Sequence, residues 1–352
     1  MADKSAFSSY FAGLIRENRF AILLLCLLSA IISGISSVNI STYEMTLGQT
    51  GEFVQNASRL CLDVPAYIGL YAAMLSAIFS FARFKQRRNL DMLLAMPISR
   101  KSVGRAHYLF GLLTTLAPLI TAYVCNLAAV LIKTELETIH FGWYALHFGV
   151  AVLYSSLFYT MYVFVFNEAN TVFDGCAFVF LWHNVFYWVM YARAKDSTNA
   201  RLLSLERFLE RITRAIEMPA GGRNDDVFRW LFKDPEVVAA MLGWLFLGIS
   251  AAVLFAVRFG KRQYERAGEV STSIFGYNLL IPVYTVSGAL FGYSSTPADE
   301  FGYPMENLFL FIGAFALYAI FRRGIRFKIT DYTVMGALVV LLITSVLMRF
   351  QH

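Results

Sequence analysis

Nine stretches of the chain are almost unbroken in apolar residues: 20–38, 64–82, 108–132, 146–166, 171–192, 237–257, 273–294, 304–321 and 331–348. A helix needs about 20 such residues to cross the hydrocarbon of a bilayer. Apart from a closed barrel, only a helix can satisfy its own backbone there. The pattern therefore predicts an all-α, polytopic integral membrane protein with about 8–9 transmembrane helices. The weakest parts of the pattern are the last run and the pair joined by the short "FNEAN" connection at 166–170.

Two further segments alternate apolar and polar positions at helical spacing. In residues 1–19, Phe7, Tyr10, Phe11, Leu14 and Ile15 form one stripe, with Arg16 and Glu17 after it. This predicts a cytoplasmic interfacial elbow helix that turns into the first span. In "LLSLERFLERITRAIEMP", Leu202, Leu205, Phe208, Leu209, Ile212 and Ile216 share a face. That predicts an amphipathic helix in the 193–235 loop, lying on the outer membrane surface or capping the spans. A substrate lid is the alternative.

Composition agrees with the pattern. Of 352 residues, 58% are hydrophobic and only 15% charged, with a mean hydropathy of +0.56. A soluble domain carries about 25% charged residues. The net charge of +6 does not point to nucleic acid, because the basic residues cluster beside the apolar runs, as topology and lipid headgroups require. With the N-terminus cytoplasmic, the inner segments hold eighteen Lys and Arg, and the outer ones hold Arg59, Lys133 and Arg349 outside the 193–235 loop. That loop holds nine basic and seven acidic residues and is the main strain on the scheme. The expected location is the cell membrane, crossed several times, with the N-terminus cytoplasmic. The four cysteines lack metal spacing, and no cleavable signal peptide is expected.

The chain has no G-x-x-x-x-G-K-[ST] phosphate loop and no H-E-x-x-H motif, and its five histidines are scattered. It is not expected to be an enzyme or to hold a cofactor or metal. If ATP drives its work, ATP and Mg are bound by a partner.

The segment "ARFKQRRNLDMLLAMPISRKSVGRAHY" at 82–108 carries seven basic residues between two apolar runs. Arg83, Lys85, Arg87 and Arg88 read as headgroup anchors for the end of the second span. Asn89 or Asp91 can start a short helix, and Leu90, Met92, Leu93, Leu94 and Met96 give it an apolar surface. Pro97 stops it, and Ser99 caps the helix that re-enters the membrane. Exposed leucines beside a helix stop call for a groove on a partner. The bland alternative is a positive-inside anchor alone.

"RRNLDMLLAMPISRKSVGRAHYLFGLL" resembles the segment after the second transmembrane helix of ABC-2 type ABC transporter permeases, whose pattern is roughly a basic residue, Leu-Leu-x-x-(Leu/Met)-Pro-(Ile/Val)-(Ser/Thr)-Arg. "RFGKRQYERAGEVSTS" at 258–273 is similar to the Arg-x-x-Glu-x-Ala-Gly loop of a Gram-positive-like branch with more than six spans. The resemblance implies a type V exporter-like core and these units: the elbow at 1–19, a six-span core at 20–257 with its coupling segment at 84–104, a cytoplasmic loop at 258–272, and extra C-terminal spans at 273–352. It implies contact with nucleotide-binding ATPase subunits through Arg87, Arg88, Leu90, Asp91, Leu93, Leu94, Pro97, Ile98, Ser99 and Arg100. It implies a second contact at Arg262, Glu265, Ala267 and Gly268, and pairing with a second permease subunit. The expected activity is ATP-driven export of an amphipathic substrate, such as an antimicrobial peptide, a drug or a lipid-like compound.

Polar groups inside apolar spans are candidates for the substrate path. Here they are Asn126, Asp174, His183 and Asn184, each with the alternative of a helix cap or an interhelical hydrogen bond. Two other functions compete. One is a membrane sensor or immunity protein that binds without transport. The other is a secondary transporter, which would show internal repeats and paired intramembrane charges.

Overall fold

The structure, a computed structural model, describes residues 2–37, 41–46, 53–59, 62–86, 98–133, 141–191, 235–259, 269, 271, 273–295, 302–324 and 327–350. Among the described residues are nine α-helices: α1 Ala2–Ser36, α2 Asp63–Phe81, α3 Arg100–Lys133, α4 Phe141–Glu168, α5 Val172–Tyr191, α6 Pro235–Phe259, α7 Leu279–Ser295, α8 Gly302–Arg322 and α9 Ile329–Phe350. Each lies on one of the nine apolar runs. Five of them (α1, α2, α3, α4 and α6) are long and apolar enough to cross a membrane, which fits a membrane protein. The other four carry shorter apolar stretches of 10–17 residues.

The architecture is helical with one addition. Between α1 and α2, β1 (Ser41–Thr46) pairs antiparallel with β2 (Phe53–Arg59), from Ser41 opposite Arg59 to Thr46 opposite Phe53. An irregularity at Glu44 and Met45 shifts the register. The apolar-run pattern is blind to so short a ribbon, whose strands "STYEMT" and "FVQNASR" carry few aliphatic residues.

The expected elbow is a continuation, not a separate helix. α1 runs unbroken for 35 residues, about 52 Å. No proline interrupts residues 2–36. The Asn18 side chain donates back to the Leu14 carbonyl at 2.8 Å, at the position where a turn was expected. The predicted stripe is the packing face: Leu14 joins Ala106 and Phe110 of α3 in a buried core, with Phe7, Tyr10, Phe11 and Ile15 against it. Further along, Phe20, Leu23, Leu27, Ile31 and Ile35 stay exposed, as a lipid-facing stripe would.

The chain divides into two compact units. Unit 1 contains α1, the β-ribbon, α2, α3, α4 as far as Val163, and α6. Here α1 and α2 both pack on α3. Gly69 of α2 lies so close to Leu119 and Ser155 that a Cβ would sit 2.9 Å from one and 2.3 Å from the other.

Unit 2 contains the turn Ala82–Lys85, the end of α4 from Phe164, α5, and α7 to α9. α5 belongs with the C-terminal helices, although it falls within the 20–257 span expected to form one core. Its aromatic face explains this. Phe178 meets Tyr277 edge-on at 4.8 Å, and Trp188 meets Tyr284 at 4.7 Å. The chain kinks at Gly276 (φ −81°, ψ −144°) just before α7, where a Cβ would lie 2.8 Å from the Phe178 ring. At the same end of the unit, where Phe321 packs on Tyr277 at 5.1 Å, the Arg322 guanidinium donates two 2.6 Å hydrogen bonds to the Asp331 carboxylate across the α8–α9 turn.

Candidate functional site: the two roots of the basic hook

The residues of the hook that were expected to meet a partner fall mostly outside the described residues. This holds for Arg87, Arg88, Leu90, Asp91, Leu93, Leu94 and Pro97, for the second contact Arg262, Glu265, Ala267 and Gly268, and for the amphipathic stretch 202–216. What is described is how the chain enters the hook and how it leaves.

The entrance belongs to unit 2. After α2, the turn Ala82–Lys85 buries both Phe84 and Lys85. The Lys85 ammonium donates to the carbonyls of Asn167, at 3.3 Å, and Ala169. It also sits 5.3 Å from the centre of the Phe166 ring. These carbonyls lie at the C-terminus of α4, where the last turn has no helical partners and the helix dipole favours a cation. The carbonyl between them, that of Glu168, accepts from the Ser271 hydroxyl at 2.6 Å. The Glu168 carboxylate accepts from the Ser273 hydroxyl. The "FNEAN" connection is thus held by one residue from the start of the hook and two from the end of the second basic loop. Lys85 is not the headgroup anchor expected of it: only 7% exposed, its charge is directed to helix carbonyls.

The exit belongs to unit 1. Ile98 is half-buried, and Ser99 and Arg100 are exposed. Ser99 caps α3 as the sequence predicts, accepting from the Ser102 backbone N–H at 3.2 Å. About two turns further in, buried His107 binds two other elements. Its Nδ1 lies 2.7 Å from the Ser80 carbonyl in the last turn of α2. A carbonyl can only accept, so Nδ1 carries the proton. In the neutral ring Nε2 then accepts from the Tyr10 hydroxyl of α1, at 2.8 Å. An aromatic cluster surrounds this centre. Phe81 meets Phe255 at 5.6 Å and Phe259 at 6.0 Å, and Tyr108 stacks on Phe255 at 5.7 Å. Gly104 admits the Phe259 ring, since a Cβ there would lie 2.1 Å from it.

These contacts fix helix directions. In unit 1, α6 ends beside the hook exit, so Pro235 starts about 37 Å away. In unit 2, α5 begins beside the hook entrance, so it ends about 30 Å away.

The four residues expected on a substrate path are not brought together within either unit. Asn126 lies in unit 1, fully buried, donating to the Ser37 hydroxyl at 3.2 Å, with the Tyr144 hydroxyl 3.4 Å from its oxygen. Asp174 lies in unit 2, in the first turn of α5, where its Oδ1 accepts from Tyr277 at 2.8 Å. His183 is buried on the same helix. Asn184 donates to the Phe180 carbonyl of its own helix at 2.8 Å, not to a neighbouring span.

The apolar pattern gives no sign of the network around Asn126. The Tyr144 hydroxyl donates to the Tyr123 carbonyl at 2.8 Å, and the Tyr123 hydroxyl pairs with His147 Nδ1 at 2.7 Å. Tyr123 and Asn126 are three apart on α3, as Tyr144 and His147 are on α4. That spacing of polar groups in apolar runs is the signal that was available.

Among the described residues, no group of three His, Cys, Asp or Glu side chains could hold a metal ion. Comparison with protein-family models, with curated proteins and with solved structures finds no match.

Proposed function

We propose that the chain is the transmembrane permease subunit of an ATP-driven exporter of the ABC-2 type. In this reading all nine apolar helices span the cell membrane, the N-terminus and the hook are cytoplasmic, and the 193–235 loop is outside. Two permease subunits pair above a dimer of nucleotide-binding ATPase subunits. The substrate is an amphipathic peptide, drug or lipid-like compound suited to an apolar path. ATP closes the nucleotide-binding dimer, which draws the hook, and the hook moves the helices on which it is rooted as rigid bodies.

The observation that supports this best is the rooting of the hook. A loop serving only as a charge anchor needs cations at headgroup level. Here each root is tied into a helix bundle: Lys85 caps the end of α4, and His107 links α3 to α2 and α1. A segment that must pass force from outside the membrane to the spans needs such stiff ends. Leu90, Leu93, Leu94 and Ile98 would be its packing contacts, with Arg87, Arg88, Asp91 and Arg100 at the rim.

The test is purification of the full chain in mild detergent from the membrane of its own host. A stoichiometric ATPase should co-purify, and Leu93→Asp with Leu94→Asp should remove it without lowering membrane insertion. A well-folded chain that carries no ATPase would defeat the reading.

A further inference from the structure

Beside the hook exit, unit 1 has a cavity of about 530 Å³, within the roughly 300–1,000 Å³ usual for small-molecule sites. Its walls are carbon-rich and include Phe7, Tyr108, Phe255 and Phe259. The polar character comes mainly from Lys101 and Arg105, which line it and are exposed. No hydrogen bond or ion pair engages either side chain among the described residues.

A second observation concerns charge. Arg100, Lys101 and Arg105 crowd the N-terminal end of α3, and its first turn contains no acidic residue. The helix dipole is positive over that first turn, so Arg100 and Lys101 stand where the backbone field already opposes them, and Arg105 follows one turn later. A bound anion would relieve this. An anion alone has no use for aromatic walls, and an uncharged apolar ligand has no use for the cations.

We infer that this cavity binds an anionic phospholipid of the leaflet on the hook side. The phosphate lies on Lys101 and Arg105, and an acyl chain runs along Phe255 and Phe259. The walls come from α1, α3 and α6, so the lipid bridges the N-terminal stripe to the two helices that bracket the hook exit. The inference requires only that these helices cross a bilayer. It does not depend on the exporter reading.

The test uses the full chain in nanodiscs containing photoactivatable lipids with a diazirine in the acyl chain, either phosphatidylglycerol or phosphatidylcholine. Labelled peptides are mapped by mass spectrometry. At about fivefold per basic residue, phosphatidylglycerol should label peptides covering 101–109 and 252–259 at least tenfold more than phosphatidylcholine. Lys101→Gln with Arg105→Gln should bring the two lipids close to parity, and Lys101→Arg with Arg105→Lys should keep the preference. Ala256→Trp, which fills the cavity and leaves both cations, should lower labelling by either lipid several-fold. Excess inorganic phosphate should not compete. Equal labelling by both lipids in the unaltered chain overturns the inference, as does a preference that survives loss of both cations. Full competition by inorganic phosphate overturns it in favour of a free anion.

Discussion

The hook is rooted by different physics at its two ends. At the entrance, one buried ammonium binds helix-end carbonyls, with Ser271 as a second clamp. At the exit, a histidine and a cluster of aromatic rings share the task. A polar clamp is close to all-or-none, because carbonyls left buried without a donor cost their full desolvation. Ring packing is graded, because many weak contacts can each be loosened a little. The entrance should therefore fail sharply and the exit should soften.

Four substitutions separate the two roots. The largest effect is expected from Lys85→Met, which keeps the stem and removes the donor. It should cost about 3 kcal/mol, read as a lower Tm in detergent, with faster hydrogen exchange at 166–171 and little change at 100–110. Gly104→Val comes next. It drives a side chain into the Phe259 ring and should cost about 2 kcal/mol by overpacking, outweighing the gain in helix propensity. Its hydrogen-exchange signature should fall on 100–110 and 250–259 and spare 166–171. His107→Phe keeps ring volume but removes the bonds to Ser80 and Tyr10, for about 1–2 kcal/mol. Protease cleavage within residues 5–16 should rise. The smallest effect is Ser271→Ala, about 1 kcal/mol, at the entrance only. If Lys85→Met and Gly104→Val loosened the same peptides, the distinction between the two roots would be lost.

The helices themselves were legible in the sequence, because each contains a long and nearly unbroken apolar run. All nine apolar runs became helices, and the Phe7, Tyr10, Phe11, Leu14 and Ile15 stripe became the face that packs on α3. The Ser99 cap was legible for the same local reason. The fate of Lys85 was not. A lysine at the end of an apolar run looks the same whether it reaches headgroups or the end of another helix, and the choice depends on a chain segment 82 residues away. Nor could periodicity place α5 with α7 to α9. That grouping rests on aromatic pairs between residues roughly 100 apart, Phe178 with Tyr277 and Trp188 with Tyr284. The break expected after residue 19 did not occur, because nothing local stops a helix there and α3 offers the stripe a surface to follow.

The proposed link between ATP and the membrane path runs through the apolar middle of the hook, between its two roots. The most direct test reconstitutes the chain with the proposed ATPase partner in vesicles and measures ATP hydrolysis and substrate movement together. Leu93→Asp with Leu94→Asp should abolish substrate-stimulated hydrolysis and transport while the chain still inserts and folds. Normal substrate-stimulated hydrolysis in that variant would contradict the account.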